Sequence, residues 1–147
     1  MSLGPLGRAG LGVLAALCAS SAHATIPSGG NELRVGPLET YLTVMDAYAA
    51  AVSGDEIVVM PGVYEESFVF DVAKEVLIYP DVSAVGVVTF GIRSSSCGTQ
   101  EAVLIHDSSS LTTVSGIEVD TKDCTRVAHV MKGTLQLSEV SLPALGT

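Results

Sequence analysis

The sequence predicts an all-β solenoid with a short N-terminal capping α-helix. Three observations predict it. Residues 41–65 read as helix, turn, strand, turn and strand. Strand-like segments then recur at a spacing of roughly 20–27 residues, the mark of coils that bury their faces only against neighbours. Finally, the chain is 48% hydrophobic but only 5% aromatic, without Trp, which suits stacked aliphatic side chains.

The helix is expected over 43–53. Thr43 has the side chain of an N-cap, and Asp46, three residues on, stands as a capping-box-like partner near the positive helix end. Val44, Ala47, Tyr48 and Ala51 recur at i, i+3, i+4 and i+7 and make one apolar stripe. Gly54 supplies the stop. Residues 57–60 form an apolar, β-branched run too short for a helix, and Pro61-Gly62 turns the chain into a second strand.

These residues resemble a known pattern: Tyr-x-Thr-Val-x-x-Ala, then Ala-x-x-Gly-Asp-x-Ile-Val-Val, then Pro-Gly-x-Tyr-x-Glu. The matching positions are Tyr41, Thr43, Val44, Ala47, Ala51, Gly54, Asp55, 57–59, Pro61, Gly62, Tyr64 and Glu65. The pattern is similar to the amino-terminal cap of right-handed parallel β-helix proteins, the pectin-lyase-like superfamily that includes pectin esterases. The resemblance implies a right-handed parallel β-helix. It leaves function open, because the superfamily holds lyases, hydrolases, esterases, adhesins and non-catalytic surface proteins.

The repeats give the coils. Val76-Leu77-Ile78-Tyr79, Val103-Leu104-Ile105-His106 and Arg126-Val127-Ala128-His129 align as one strand seen three times, with steps of 27 and 23 residues. At the same step of 23, the segment 114–119 aligns with 137–142. Residues 57–60 and 68–70 belong to an earlier coil, so about four coils are expected from 56 to 142 within a domain of 41–147. The expected register stacks Leu77, Leu104 and Val127 in an interior column and Tyr79, His106 and His129 in a second, which emerges at a bend. The opposite register would bury Arg126, a charge that is costly to bury without a partner. With no capping element evident after Leu142, an open coil would leave an edge ready to pair. The expectation is part of a longer β-helix, the alternatives being that residues 142–147 fold over the end or that a partner covers it.

The amino terminus reads as a secretory signal over 1–24. Arg8 supplies positive charge, residues 9–19 a short apolar core, and Ala22-His23-Ala24 a cleavage site before Thr25. The apolar run is too short to span a bilayer, and bulky Leu17 argues against lipidation at Cys18. Residues 25–40 are expected to be an extended entry segment. Cleavage would leave 123 of 147 residues, with six Lys and Arg against 16 Asp and Glu. That acidity argues against nucleic-acid and anionic membrane partners, which require basic patches.

Cys97 and Cys124 fall just before the same strand of successive coils. Coils stack at about 4.8 Å, within the reach of a disulfide, and export supplies an oxidising compartment. A disulfide is therefore expected. Tyr79, His106 and His129 form one candidate ligand-facing ladder, and Asp120, Asp123 and Arg126, with Lys122, a second candidate cluster on an outer face. No catalytic set, metal site, cofactor fingerprint or nucleophile elbow is legible. The expected role is an exported, non-catalytic structural or recognition module, with a polysaccharide or other cell-surface component as partner. The alternative is the amino-terminal portion of a carbohydrate-active enzyme.

Overall fold

The computed structural model describes residues 30–92, 102–122, 124 and 126–142. They form a parallel solenoid of about four turns. Its strands are β1 (Glu32–Val35), β2 (Glu56–Val59), β3 (Gly62–Glu65), β4 (Phe68–Phe70), β5 (Val76–Pro80), β6 (Val88–Gly91), β7 (Ala102–Ser115), β8 (Glu118–Asp120) and β9 (Arg126–Ser138), with helix α1 (Val44–Ala50) between β1 and β2.

Three walls enclose the core. The first stacks β1, β2, β5, the second half of β7 and the second half of β9. The second stacks β3, β6 and β8. The third stacks β4 and the first halves of β7 and β9. Every pairing is parallel, so β7 and β9 each turn a corner and serve two walls. The register of β7 on β9 shifts between His106 and Leu111, where that corner lies.

Period-two alternation fills the interior with columns of like side chains. In the first wall Leu33, Ile57, Ile78, Val114 and Leu137 follow one another. Ile57, Ile78 and Val114 are fully buried. Each such side chain contributes about 1.5–3 kcal/mol by leaving water. Tyr64, Phe90 and Val119 make the column of the second wall, and Phe68, Leu104 and Ala128 one column of the third. Phe68 lies parallel to Phe90 with centroids 4.3 Å apart, joining these two walls through the core.

Helix α1 packs against β1, β2 and β4 with Val44, Ala47 and Tyr48 buried. Thr43 is the N-cap, its Oγ1 accepting from the Asp46 amide at 3.0 Å. The donors ahead of it go to Glu66, whose carboxylate accepts from the amides of Val44 at 2.9 Å and Met45 at 3.0 Å. A coil residue thus takes helix donors that have no intrahelical partner. At the other end Lys74 is buried. Its Nζ donates to the carbonyls of Tyr48, Ala49 and Ala51 and lies 4.3 Å from the Tyr48 ring centroid. A cation there complements the negative helix end. Asp55, beside Gly54, accepts from the amides of Asn31 (2.7 Å) and Val52 (2.8 Å). The Val52 bond chiefly holds its carboxyl below the ordinary range.

The structure corrects the repeat register. Val76 pairs with Thr112, and Phe68 with Leu104, each 36 positions on. The first step of 27 is therefore wrong, because β5 belongs to the first wall and residues 103–106 to the third. The second step is 24, not 23: Ile105 faces His129, and His106 faces Val130. Neither expected column exists. Val76 and Ile78, not Leu77, point into the first wall. The step of 23 between Val114 and Leu137 is as expected.

One surface ion cluster fixes the loop after β5. Arg34 reaches Asp81, Glu32 and Glu39, and Asp81 also accepts from the Ser83 amide (2.8 Å) and hydroxyl (2.6 Å). The Ser83 hydroxyl first, then Arg34, lowers the Asp81 carboxyl to about 2. Its stabilisation is present above the unfolded value of 3.8 and is lost as pH falls through about 2. Urea midpoints measured between pH 6 and pH 2 should therefore fall more steeply for the wild type than for Asp81→Asn. Parallel profiles would contradict this role.

Candidate functional site

The outer face of the first wall carries a groove of about 350 Å³. Glu56, Leu77, Thr113 and Gln136 succeed one another along it in register. Tyr79, beside Leu77 on the same face, donates its hydroxyl to Glu56 Oε2 at 2.7 Å. Burial, then the bond to Glu56, pushes the phenol up to about 12, so it stays protonated and donating throughout the neutral range. Ser115, Ser138 and Glu139 close one side, and Pro80 and Val82 supply an apolar rim. Gly116 passes close by: at φ +66 its position leaves only 3.1 Å between a would-be Cβ and the Pro80 ring.

Thr113 sets this face apart. It lines the groove yet is only 3% exposed, and its Oγ1 has no hydrogen-bond partner among the described residues. A buried hydroxyl without a partner is uncommon, because leaving water without compensation costs about 1–3 kcal/mol. Alternation explains its direction: Thr112 points into the coil with Val76 and Leu135, and Thr113 points out.

No family model matches the sequence, and no curated protein matches it. Among solved structures, a crystal structure of the pectin methylesterase from Aspergillus niger matches with a TM-score of 0.50 at 22% identity. The match covers 82% of this chain and 52% of that enzyme. This chain has the right-handed parallel β-helix fold. It spans about half the length of the enzyme it matches.

The β-helix disperses the first predicted ladder. Tyr79 lies outside the first wall, in the groove. His129 lies half-exposed outside the third wall, following Val69 and Ile105. His106 faces inward, fully buried in the column Phe70, His106 and Val130, so it is not ligand-facing. Its Nδ1 lies 2.7 Å from the Lys132 carbonyl, which satisfies one ring nitrogen; Nε2 has no hydrogen-bond partner among the described residues. Asp120 stands on the second wall after Glu65 and Gly91, accepting from the Lys122 amide at 3.0 Å, while Lys122 Nζ pairs with Glu65. Arg126 opens β9 on the third wall, exposed, opposite Ala102. Asp123 and Cys97 lie outside the described residues.

Of the candidate residues named from the sequence, Tyr79 alone lines this groove; Glu56, Leu77, Thr113 and Gln136, which share it, are not among them. The aligned step of 23 that pairs Val114 with Leu137 also places Thr113 on Gln136, a signal present in the sequence. Among the described residues, no group of three or more His, Cys, Asp or Glu could hold a metal ion. No helix among them is long and apolar enough to cross a membrane.

Proposed function

We propose that this chain is an exported, non-catalytic β-helix domain that recognises a polysaccharide or other cell-surface component through the groove on its first wall. The groove carries this reading. It gathers an aromatic side chain, an amide, hydroxyls and an apolar rim on a rigid sheet, the mixture by which small-molecule sites orient a ligand. Its buried Thr113 hydroxyl still wants a partner. The acidic composition supports the reading in a further way, since it disfavours nucleic acid and anionic membranes.

Export fits the signal-like residues 1–24 and a Cys97–Cys124 disulfide. Cys124 is almost buried against the core just ahead of β9, and the first residues of β7 and β9 are paired. Mass spectrometry of exported material should give a chain beginning at Thr25 with both cysteines protected from alkylation. An intact Met1, or two free thiols, would remove this part of the proposal.

A second reading has one observation in its favour: the similar solved structure is an esterase of about twice the matched length. The chain would then be the amino-terminal portion of a carbohydrate-active enzyme. A glycan array, run beside esterase, lyase and hydrolase assays on the same secreted chain, separates the two. Glycan binding without turnover is the expected result. Release of methanol, unsaturated products or reducing ends would instead establish the enzyme.

A further inference from the structure

We infer that the groove on the first wall takes an uncharged, hydroxyl-rich ligand, a neutral saccharide of one or two rings, and turns away uronates. The inference rests on the recognition reading above and names its ligand class.

Charge decides against an acidic ligand. Two carboxylates, Glu56 and Glu139, line the groove, and among the described residues no Lys, Arg or His lines it. A uronate would shed its water to meet like charge and find no cation, and an unpaired desolvated charge is among the costliest things a site can hold. Hydrogen-bonding capacity decides for hydroxyls. Tyr79 has spent its proton on Glu56 and offers only oxygen lone pairs; Glu56 and Thr113 offer further acceptor positions. Gln136, Ser115 and Ser138 can donate or accept. A sugar hydroxyl supplies both a donor and an acceptor, and so satisfies Thr113 Oγ1 whichever way its proton turns. The apolar rim fits a pyranose C–H face.

A cationic amine would satisfy the two carboxylates but not the neutral groups between them. Glu56, moreover, already receives the Tyr79 proton at 2.7 Å. The volume, about 350 Å³, lies at the lower end of small-molecule sites and leaves room for a short oligosaccharide segment.

The test is titration calorimetry of the full secreted chain against three sets of trisaccharides: neutral hexose trisaccharides, the galacturonate trisaccharide and the glucosamine trisaccharide. At least one neutral probe should bind tenfold or more tighter than both charged ones. Thr113→Val should weaken that binding about tenfold without lowering thermal stability, because the hydroxyl it removes has no partner in the free protein. Glu56→Gln should narrow the gap between neutral sugar and uronate by about tenfold. Equal or tighter binding of the uronate, or binding confined to the glucosamine probe, overturns the ligand class. If that binding is still lost in Thr113→Val, the recognition reading survives. Sugar binding indifferent to Thr113→Val places the site elsewhere and overturns the inference. Absence of any saccharide binding on the array overturns the recognition reading and the inference with it.

Discussion

Leu104→Ala should lower the unfolding free energy by about 2–5 kcal/mol, a large share of the roughly 5–15 kcal/mol available to a domain. Leu104 is fully buried between Phe68 and Ala128 in the third wall. It sits in the core shared with the stacked Phe68 and Phe90 rings. Truncation would leave a void that aromatic neighbours held by their own strands cannot collapse into. The informative comparison is Leu77→Ala. The sequence register placed both leucines in one interior column, where both truncations would be equally damaging. In the structure Leu77 faces outward into the groove, so its loss should cost well under half as much. Urea unfolding of the two variants decides the matter: a Leu77 variant as unstable as the Leu104 variant would mean the observed register is wrong.

That comparison shows where the sequence was legible and where it was not. Local chemistry was readable. Thr43 marks the start of α1 because an N-cap needs only the three residues that follow it. Its end comes earlier than the expected 53: α1 stops at Ala50, with Ala51 already extended as the C-cap, so Gly54 belongs to the following turn. The strands around Pro61-Gly62 stand where the turn residues put them. The step of 23 from Val114 to Leu137 was readable because the two coils it joins have short, similar turns. The preceding step was not. A long connection between β6 and β7 stretches that coil to 36 positions, and a Val-Leu-Ile run recurs on two different walls. Matching by pattern alone then aligned β5 with the first half of β7, whereas β5 pairs with the second half.

His106 failed in a different way. Its period-two relation to Leu104 already placed it inside, but its polarity argued for a corner. The Lys132 carbonyl, brought alongside by the parallel pairing of β9, meets that objection for one ring nitrogen, Nδ1. Lys74 is similar. In the sequence it is one turn residue among several, and its role at the end of α1 depends on where the next coil passes. The groove is legible only in part: the step of 23 sets Thr113 on Gln136, but their place over Leu77 and beside Tyr79 depends on the 36-position step that pattern alone misses.

Gly133→Ala should be among the most damaging single-methyl additions to this fold, and Gly54→Ala the control that shows why. Both glycines have left-handed backbones, φ +72 and φ +94. Either substitution incurs about 1–2 kcal/mol for placing an L side chain there. Around Gly54 that is the whole effect, because a Cβ would meet nothing within 4 Å. At Gly133 a Cβ would fall 2.0 Å from the Ser108 carbonyl oxygen and 2.9 Å from that of Ser110. These are backbone atoms of the neighbouring coil, at the corner where β7 shifts register against β9. No rotamer change relieves such a contact, so the strands must part, adding about 1–3 kcal/mol. Parting also pulls the adjacent Lys132 carbonyl from His106 Nδ1, leaving both nitrogens of a buried ring unpaired, since Nε2 has no partner among the described residues, at a further cost of about 1–3 kcal/mol. Gly133→Ala should therefore lower the melting temperature several times more than Gly54→Ala. It should also speed amide exchange along β9, where Gly54→Ala leaves that strand protected. Equal melting shifts, with β9 exchange unchanged in both, would show that the two coils do not approach each other at this corner.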